Sequence, residues 1–367
     1  MSNSETRPLL TFAVCGYNQE RFIHEAVEAA LAQTYSPLEI VLSDDCSRDR
    51  TFEIMSKLAA SYSGPHKVVL NRNATNLGIG RHVNRLVELT RGQLLVVAAG
   101  DDISLPERTE TIYNLWERAG RRTMVMQSGF INIDEEGQLT DAAPARVETG
   151  TSVPALKEER TALEDYVRTL QPGMMGCALA YDPKIFSVFG PLPETLIHED
   201  NAVALRALLM GPLGFTDIPL LKRRIHGNNL FSRRHEVVAG REAVMQQEAR
   251  ITRDARNRAL MYEAFLADLQ VARRKGLIGE DQAGRIETEC IRQQRLFSYQ
   301  MEYADAAITR KLQLLKAARQ DQAGPRVIKW MIPRLLPAGL FRSLKVAGNS
   351  IRLAVKPSSK MAPRKIT

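Results

Sequence analysis

The chain has 367 residues, 25% charged and 44% hydrophobic, a balance that suits a globular protein of one large or two ordinary domains. Its net charge is +8, yet residues 325–367 hold ten Lys or Arg and no Asp or Glu, so the tail is a cation and the body before it slightly acidic. Residues 1–10 lack a signal peptide's apolar core, no stretch reaches the roughly 18 apolar residues of a membrane span, and Cys15, Cys46, Cys177 and Cys290 form no CxxC pair. These features predict a cytoplasmic chain with free thiols, whose tail is directed at an anionic partner.

In chain order, Leu10–Cys15 reads as an apolar strand and Arg21–Gln33 as a helix with Phe22, Ala26, Ala29 and Ala30 near one face. Leu38–Leu42 is a second strand, Thr51–Tyr62 a second helix, Lys67–Leu70 a short strand and residues 80–90 a third helix. Leu94–Ala99 is the fourth strand, and Pro106 suits the first turn of a helix running through Trp116. Thr123–Gln127 and Phe130–Ile133 read as further strands. This alternation predicts an α/β fold with a mainly parallel sheet. Residues 141–155 read as a loop, Lys157–Leu170 as a helix, Glu199 or its neighbour as a helix start, and 236–320 as helical.

Two strands end in paired acids. Leu38–Leu42 runs into Ser43-Asp44-Asp45, and the apolar run Leu94–Ala99 into Gly100-Asp101-Asp102. In an open α/β sheet, ligands bind beyond the strand C-termini. Hard oxygen ligands there suit Mg²⁺ or Mn²⁺, which in turn grip a diphosphate.

Together with Val14-Cys15-Gly16-Tyr17-Asn18, Asn76-Leu77-Gly78 with Arg81, Glu199-Asp200 and Arg224-Ile225-His226-Gly227-Asn228-Asn229, this ordered set resembles a family 2 glycosyltransferase over roughly residues 8–232. The resemblance implies a GT-A fold, Rossmann-like with helices on both faces of the sheet, over residues 1–235. A helical extension (236–322) and a basic amphipathic tail (323–367) follow. It implies an inverting, metal-dependent, hexosyltransferase-type enzyme that uses a nucleotide-sugar donor and a glycan or lipid-linked acceptor in surface polysaccharide biosynthesis. Tyr17, Asn18, Asp44, Asp45, Asn76, Arg81 and Asp101 would then contact the nucleotide, with Asp44 on the nucleoside. Asp101, Asp102 and His226 would face Mg²⁺ or Mn²⁺. Asp200 would be the general base, with Glu199 orienting it or binding acceptor. The family pattern carries another Asp two residues before Asp101; here Ala99 stands there, which points to a weaker ion site.

The tail sets Trp330, Leu335, Leu336, Leu340 and Phe341 beside its cations, as in a segment lying on an anionic membrane surface; the alternative is a disordered basic tail. Two other functions share some of these features. A nucleotidyltransferase would carry a Gly-rich basic loop after the first strand, where this chain has Gly16-Tyr17-Asn18-Gln19-Glu20. A non-catalytic polyanion-binding protein would not need acids at separate strand and helix ends. No nucleic-acid partner is expected.

Overall fold

A computed structural model describes residues 7–140, 157–159, 163–227, 229, 240–303, 306–323, 325–336 and 338–355. The loop expected over 141–155 and the last cations of the tail lie outside these residues. In chain order the elements are β1 (Leu10–Gly16), α1 (Ile23–Leu31), β2 (Leu38–Asp44), α2 (Thr51–Ser61), β3 (Lys67–Arg72), α3 (Ile79–Leu89), β4 (Leu95–Ala99), β5 (Ile103–Ser104), α4 (Arg108–Arg118), β6 (Val125–Ile133), β7 (Lys157–Glu159), α5 (Leu163–Thr169), β8 (Leu179–Tyr181), α6 (Lys184–Phe189), α7 (Glu199–Met210), β9 (Leu213–Arg224), α8 (Arg241–Arg274), α9 (Glu280–Tyr303), α10 (Ile308–Gln320), α11 (Pro325–Met331) and α12 (Ala338–Val355). The chain divides into two units. One holds residues 1–232 and 260–291, the other 233–259 and 292–367.

In the first unit the strands form one sheet in the order β3-β2-β1-β4-β8-β6-β9-β5, with β7 pairing with β9. Strands β1, β2, β3 and β4 are mutually parallel. Leu10 to Val14 and all of β2 are buried, which is why these segments read as largely apolar runs, with Thr11 and Glu39 bonded to each other, rather than as alternating ones. Helix α1 buries Ile23, Ala26, Val27 and Ala30, one stripe at helical spacing. The register matters most for function. Gly16 lies opposite Asp44 and Cys15 opposite Ala99, so β1, β2 and β4 end level and release their following loops at one edge.

Beyond β4 the sheet is mixed: β8 is antiparallel to β4 and β6, while β9 is parallel to β6. The two strands expected over 123–133 are a single strand, β6, whose register against β9 shifts on either side of Gly129. The helix expected over Lys157–Leu170 is also corrected. Lys157–Glu159 pairs antiparallel with Leu213–Phe215, and among the described residues of the segment Leu163–Thr169 is helical. Backbone pairing with a sheet edge overrides the weak helical preference of Lys-Glu-Glu.

The second unit is helical and has its own core, made by Leu296, Tyr303, Leu314, Leu315, Ala318 and Met331. The tail continues this unit through α11 and α12.

Candidate active site

The level strand ends open onto a cleft of about 760 Å³ in the first unit. Its first wall is the loop after β1. Asn18 adopts a left-handed backbone (φ 50°), a conformation Asn tolerates better than most residues. Its N–H donates to Ser47 Oγ (2.9 Å), and its Oδ1 accepts from the Arg48 N–H (2.9 Å). Gln19 N–H donates to Thr51 Oγ1 (2.7 Å) and Glu20 N–H to Asp49 Oδ2 (3.1 Å). The loops after β1 and β2 are therefore latched together, with Tyr17 left 44% exposed at the cleft.

The acids after β2 separate. Asp44 is fully buried; its Oδ2 accepts from the Ser47 N–H (2.9 Å), and it does not line the cleft. Asp45 does line it. Its carboxylate accepts from Asn73 Nδ2 (2.9 Å), Leu77 N–H (2.9 Å) and Gly78 N–H (3.0 Å), which fixes the loop carrying Asn76. Asn76 lines the cleft and accepts the Gly78 N–H on its own side chain (3.0 Å). Arg81 does not reach the cleft. It is exposed and sits 3.5 Å from Glu194. Helix α3 instead presents Ile79, His82 and Val83. His82 Nε2 is 2.7 Å from Ser43 Oγ, and burial holds the imidazole pKa below its usual range against the opposing pull of Asp45 and Asp44.

After β4 the chain turns at Gly100, whose N–H donates to Cys15 O (2.8 Å). A β-carbon there would fall 2.5 Å from Gln19 Oε1 and 2.7 Å from Ile23 Cδ1, so any side chain at this crossing would have to push both ends aside. Asp101 faces the cleft, with Oδ2 2.9 Å from His226 Nε2 and 3.2 Å from Asn229 Nδ2. Asp102 turns inward and accepts the Arg224 N–H (2.8 Å). Burial, then the charge of Asp101, pushes its pKa up to about 6. The expected trio of Asp101, Asp102 and His226 is thus a pair at the cleft plus a buried latch. Among the described residues no group of three or more His, Cys, Asp or Glu is arranged to hold an ion.

Arg224 is equally inward. Its guanidinium donates to Asp101 O (3.1 Å), Glu135 O (2.9 Å) and Glu25 Oε1 (3.0 Å), and it lies over the Phe22 ring. It fixes the turn that carries Asp101 and is not a cationic wall for a ligand.

The opposite wall is the first turn of α7, where Glu199 and Asp200 both line the cleft. Burial, followed by the neighbouring Asp200 charge, raises the Glu199 pKa well above the usual carboxylate range. A β-carbon at Gly176 would lie 2.8 Å from Glu199 Oε1, so the segment Gly173–Cys177 closes over that carboxyl. Asp200 Oδ1 accepts the N–H of Asn201 (2.7 Å) and its Nδ2 (2.9 Å). The helix itself is anchored by buried Arg206. That side chain donates to both carboxylate oxygens of Asp268 (2.8 and 2.9 Å) and to Gly190 O (2.8 Å). Asn84 clamps the preceding loop by exchanging two hydrogen bonds with the Leu192 backbone (2.9 and 2.7 Å).

Two residues here carried no sequence signal. His82 lines the cleft. Arg108, fully buried under it, donates to the carbonyls of Val97 and Cys177 and to Ser104 Oγ, and burial lowers its pKa to about 10. A charged residue in a helix's first turn ordinarily reads as a solvated one, so nothing local distinguishes Arg108.

Comparison with known proteins agrees with this architecture. Residues 11–174 match the family model described as glycosyl transferase family 2. The chain is 27% identical over 220 residues to an uncharacterized glycosyltransferase of Rickettsia felis, covering 60% of this chain and 34% of that protein. It is 34% identical over 121 residues to the putative glycosyltransferase EpsE of Bacillus subtilis, covering 33% of this chain and 42% of that one. It therefore spans well under half the length of these curated relatives. Among solved structures it is similar to TarS 1–349 of S. aureus in complex with UDP-GlcNAc, at TM-score 0.54 and 18% identity over 95% of this chain and 92% of that one. With the level strand ends, the acid-lined cleft and the match over residues 11–174 in agreement, the N-terminal part of this chain is similar to glycosyltransferase family 2, and its fold is GT-A.

Proposed function

We propose that the protein is an inverting glycosyltransferase of the hexosyl type. It moves a sugar from a nucleotide-sugar donor to a hydroxyl of a glycan or lipid-linked acceptor, in surface polysaccharide biosynthesis. The observation that carries this reading is the convergence of three level strand ends and the first turn of α7 on one cleft. Tyr17, with its exposed ring, and Asp45 and Asn76, held by the same loop network, form the nucleoside wall. Asn18 shapes that wall through its backbone, while Asp44 and Arg81 act from outside it.

The cleft is lined by Glu20, Asp45, Asp49, Asp101, Glu199 and Asp200, with Arg21 the one Lys or Arg among its described lining residues. A diphosphate entering such a lining alone meets like charge, so the donor binds with a divalent cation. Asp101 Oδ2 and His226 Nε2 fit that ion. They are an oxygen–nitrogen pair, which suits Mn²⁺ and is less suited to Mg²⁺ with its preference for oxygen. Asp102 does not fit, because its carboxyl is engaged by the Arg224 backbone. When bound, the ion supplies Lewis-acid stabilisation of the departing diphosphate.

The chain's own groups perform the rest. Asp200 accepts the proton of the acceptor hydroxyl as that oxygen attacks the anomeric carbon from the face opposite the diphosphate, so the configuration inverts in one displacement. Glu199, which burial favours as the neutral acid, donates a hydrogen bond that orients the acceptor. The cationic tail supports action at the cytoplasmic face of a membrane as a peripheral protein.

A thermal-shift panel of nucleoside diphosphates and nucleotide sugars, with and without Mn²⁺, tests this reading. One nucleotide base should raise the melting temperature, and more so with Mn²⁺. A flat panel across all bases would overturn it.

A further inference from the structure

The cations of the tail say what charge they seek but not how the protein would sit on it. The second unit supplies that orientation. Helix α12 is held from one side. Lys345 Nζ lies 2.6 Å from Glu248 Oε1, and Arg334 binds the same carboxylate through two nitrogens (3.0 and 2.7 Å) while lying over the rings of Trp330 (4.2 Å) and Phe341 (4.7 Å). Phe341 and Lys345, four residues apart, therefore mark the inner face. The residues turned away are Leu340, Ser343, Leu344 and Ala347, at the i, i+3, i+4, i+7 spacing of a single face, and all four are exposed. Leu340 is 50% and Leu344 54% exposed, and the turn before α12 adds Ile332 at 48% and Leu336 at 38%. Trp330, the anchor expected from the sequence, is instead packed against Tyr303 and Arg334.

We propose that this face, Ile332 and Leu336 leading into Leu340 and Leu344, docks on an anionic lipid surface with α12 lying flat in the interface. The inference rests on the membrane reading above and says which surface makes the contact. Two observations select lipid as the occupant. Residues 325–367 carry ten cations and no acid, and among the described residues Arg334 and Lys345 meet Glu248. A second copy of this segment would repel the first, and an anionic surface would attract both. In addition, no described helix is long and apolar enough to cross a membrane, and a stripe of leucines on a cationic helix suits shallow burial at the headgroup boundary.

Removing the tail would strip Met331 and Arg334 from the second unit's core, so point variants of the full chain are the proper test. Wild type and Leu340→Glu/Leu344→Glu are floated with phosphatidylcholine vesicles of graded phosphatidylglycerol content, at low and high salt. Circular dichroism and nucleotide binding serve as fold controls. Wild type should float with the anionic vesicles. The double variant should partition less by on the order of tenfold or more, since two leucines no longer enter the interface. A single Leu344→Trp variant should retain wild-type binding and show blue-shifted fluorescence on the same vesicles. If wild type ignores anionic vesicles, the membrane reading itself fails. If wild type floats and the double variant floats equally, the membrane reading stands and this face is not the contact. If light scattering shows a dimer that the double variant dissociates, the occupant is a second copy and the lipid assignment is wrong.

Discussion

The two acid pairs at the strand ends look alike in the sequence and divide their work in opposite order. After β2 the first acid, Asp44, is buried and the second, Asp45, reaches the cleft; after β4 the first, Asp101, reaches the cleft and the second, Asp102, is buried. The partners differ as well. Asp45 is engaged by two backbone N–H groups and a buried asparagine, an arrangement a ligand cannot displace without unmaking the loop. Asp101 is met at the cleft by the side chains of His226 and Asn229 rather than by backbone donors. The comparison separates a carboxylate that shapes the pocket from one available for coordination.

The largest expected effect lies opposite both pairs. Asp200→Asn should keep donor binding yet lose turnover by on the order of 10²–10⁴-fold, because an amide cannot take the proton. Normal donor binding with wild-type turnover would move the base elsewhere. Next, Asp101→Ala should lower turnover by roughly 10²–10³-fold with an unchanged melting temperature, the mark of a group that acts on developing charge rather than on the fold. Asp45→Ala should do the reverse. Three donors lose their acceptor, so stability should fall by about 1–3 kcal/mol in urea unfolding. Equal stability of the two alanine variants would erase the distinction drawn between the pairs.

Which acid of a pair faces the ligand was not legible in the sequence. Alternation along a strand fixes sides only while the strand continues, and both pairs straddle a strand end. What was legible was the alternation of strands and helices, with β1, β2 and β4 as apolar runs and a helix starting at Glu199 or its neighbour, while the GT-A fold followed from the resemblance carried by the motifs. The mixed half of the sheet was hidden because β7 and β8 are three residues each, too short to show a period. Arg224 and Arg108 were hidden for another reason. Both are buried cations that donate to distant carbonyls, and no local pattern announces that buried role. In the tail the composition pointed to an amphipathic segment, but the choice of leucines over Trp330 as its outer face depends on Glu248, some 90 residues earlier.

A smaller effect concerns pH. Glu199 has a folded pKa above its unfolded one, so the folded state binds more protons than the unfolded state at pH values above the ordinary 4.5. Wild-type stability therefore falls as pH rises through that value. Glu199→Gln should match wild type below pH 4.5 and become the more stable protein as pH rises, by about 2–4 °C in melting temperature for each kcal/mol recovered. A constant difference across pH would mean that Glu199 is ionised in the fold.

The central claim is that the strand-end cleft holds a nucleoside diphosphate through a cation at Asp101 and His226. Calorimetric titration of the best nucleoside diphosphate into wild type and Asp101→Ala, each with Mn²⁺ and with excess chelator, addresses it directly. The account predicts tight binding only for wild type with Mn²⁺, and weak, similar binding in the other three titrations. Equal affinity in all four would contradict it.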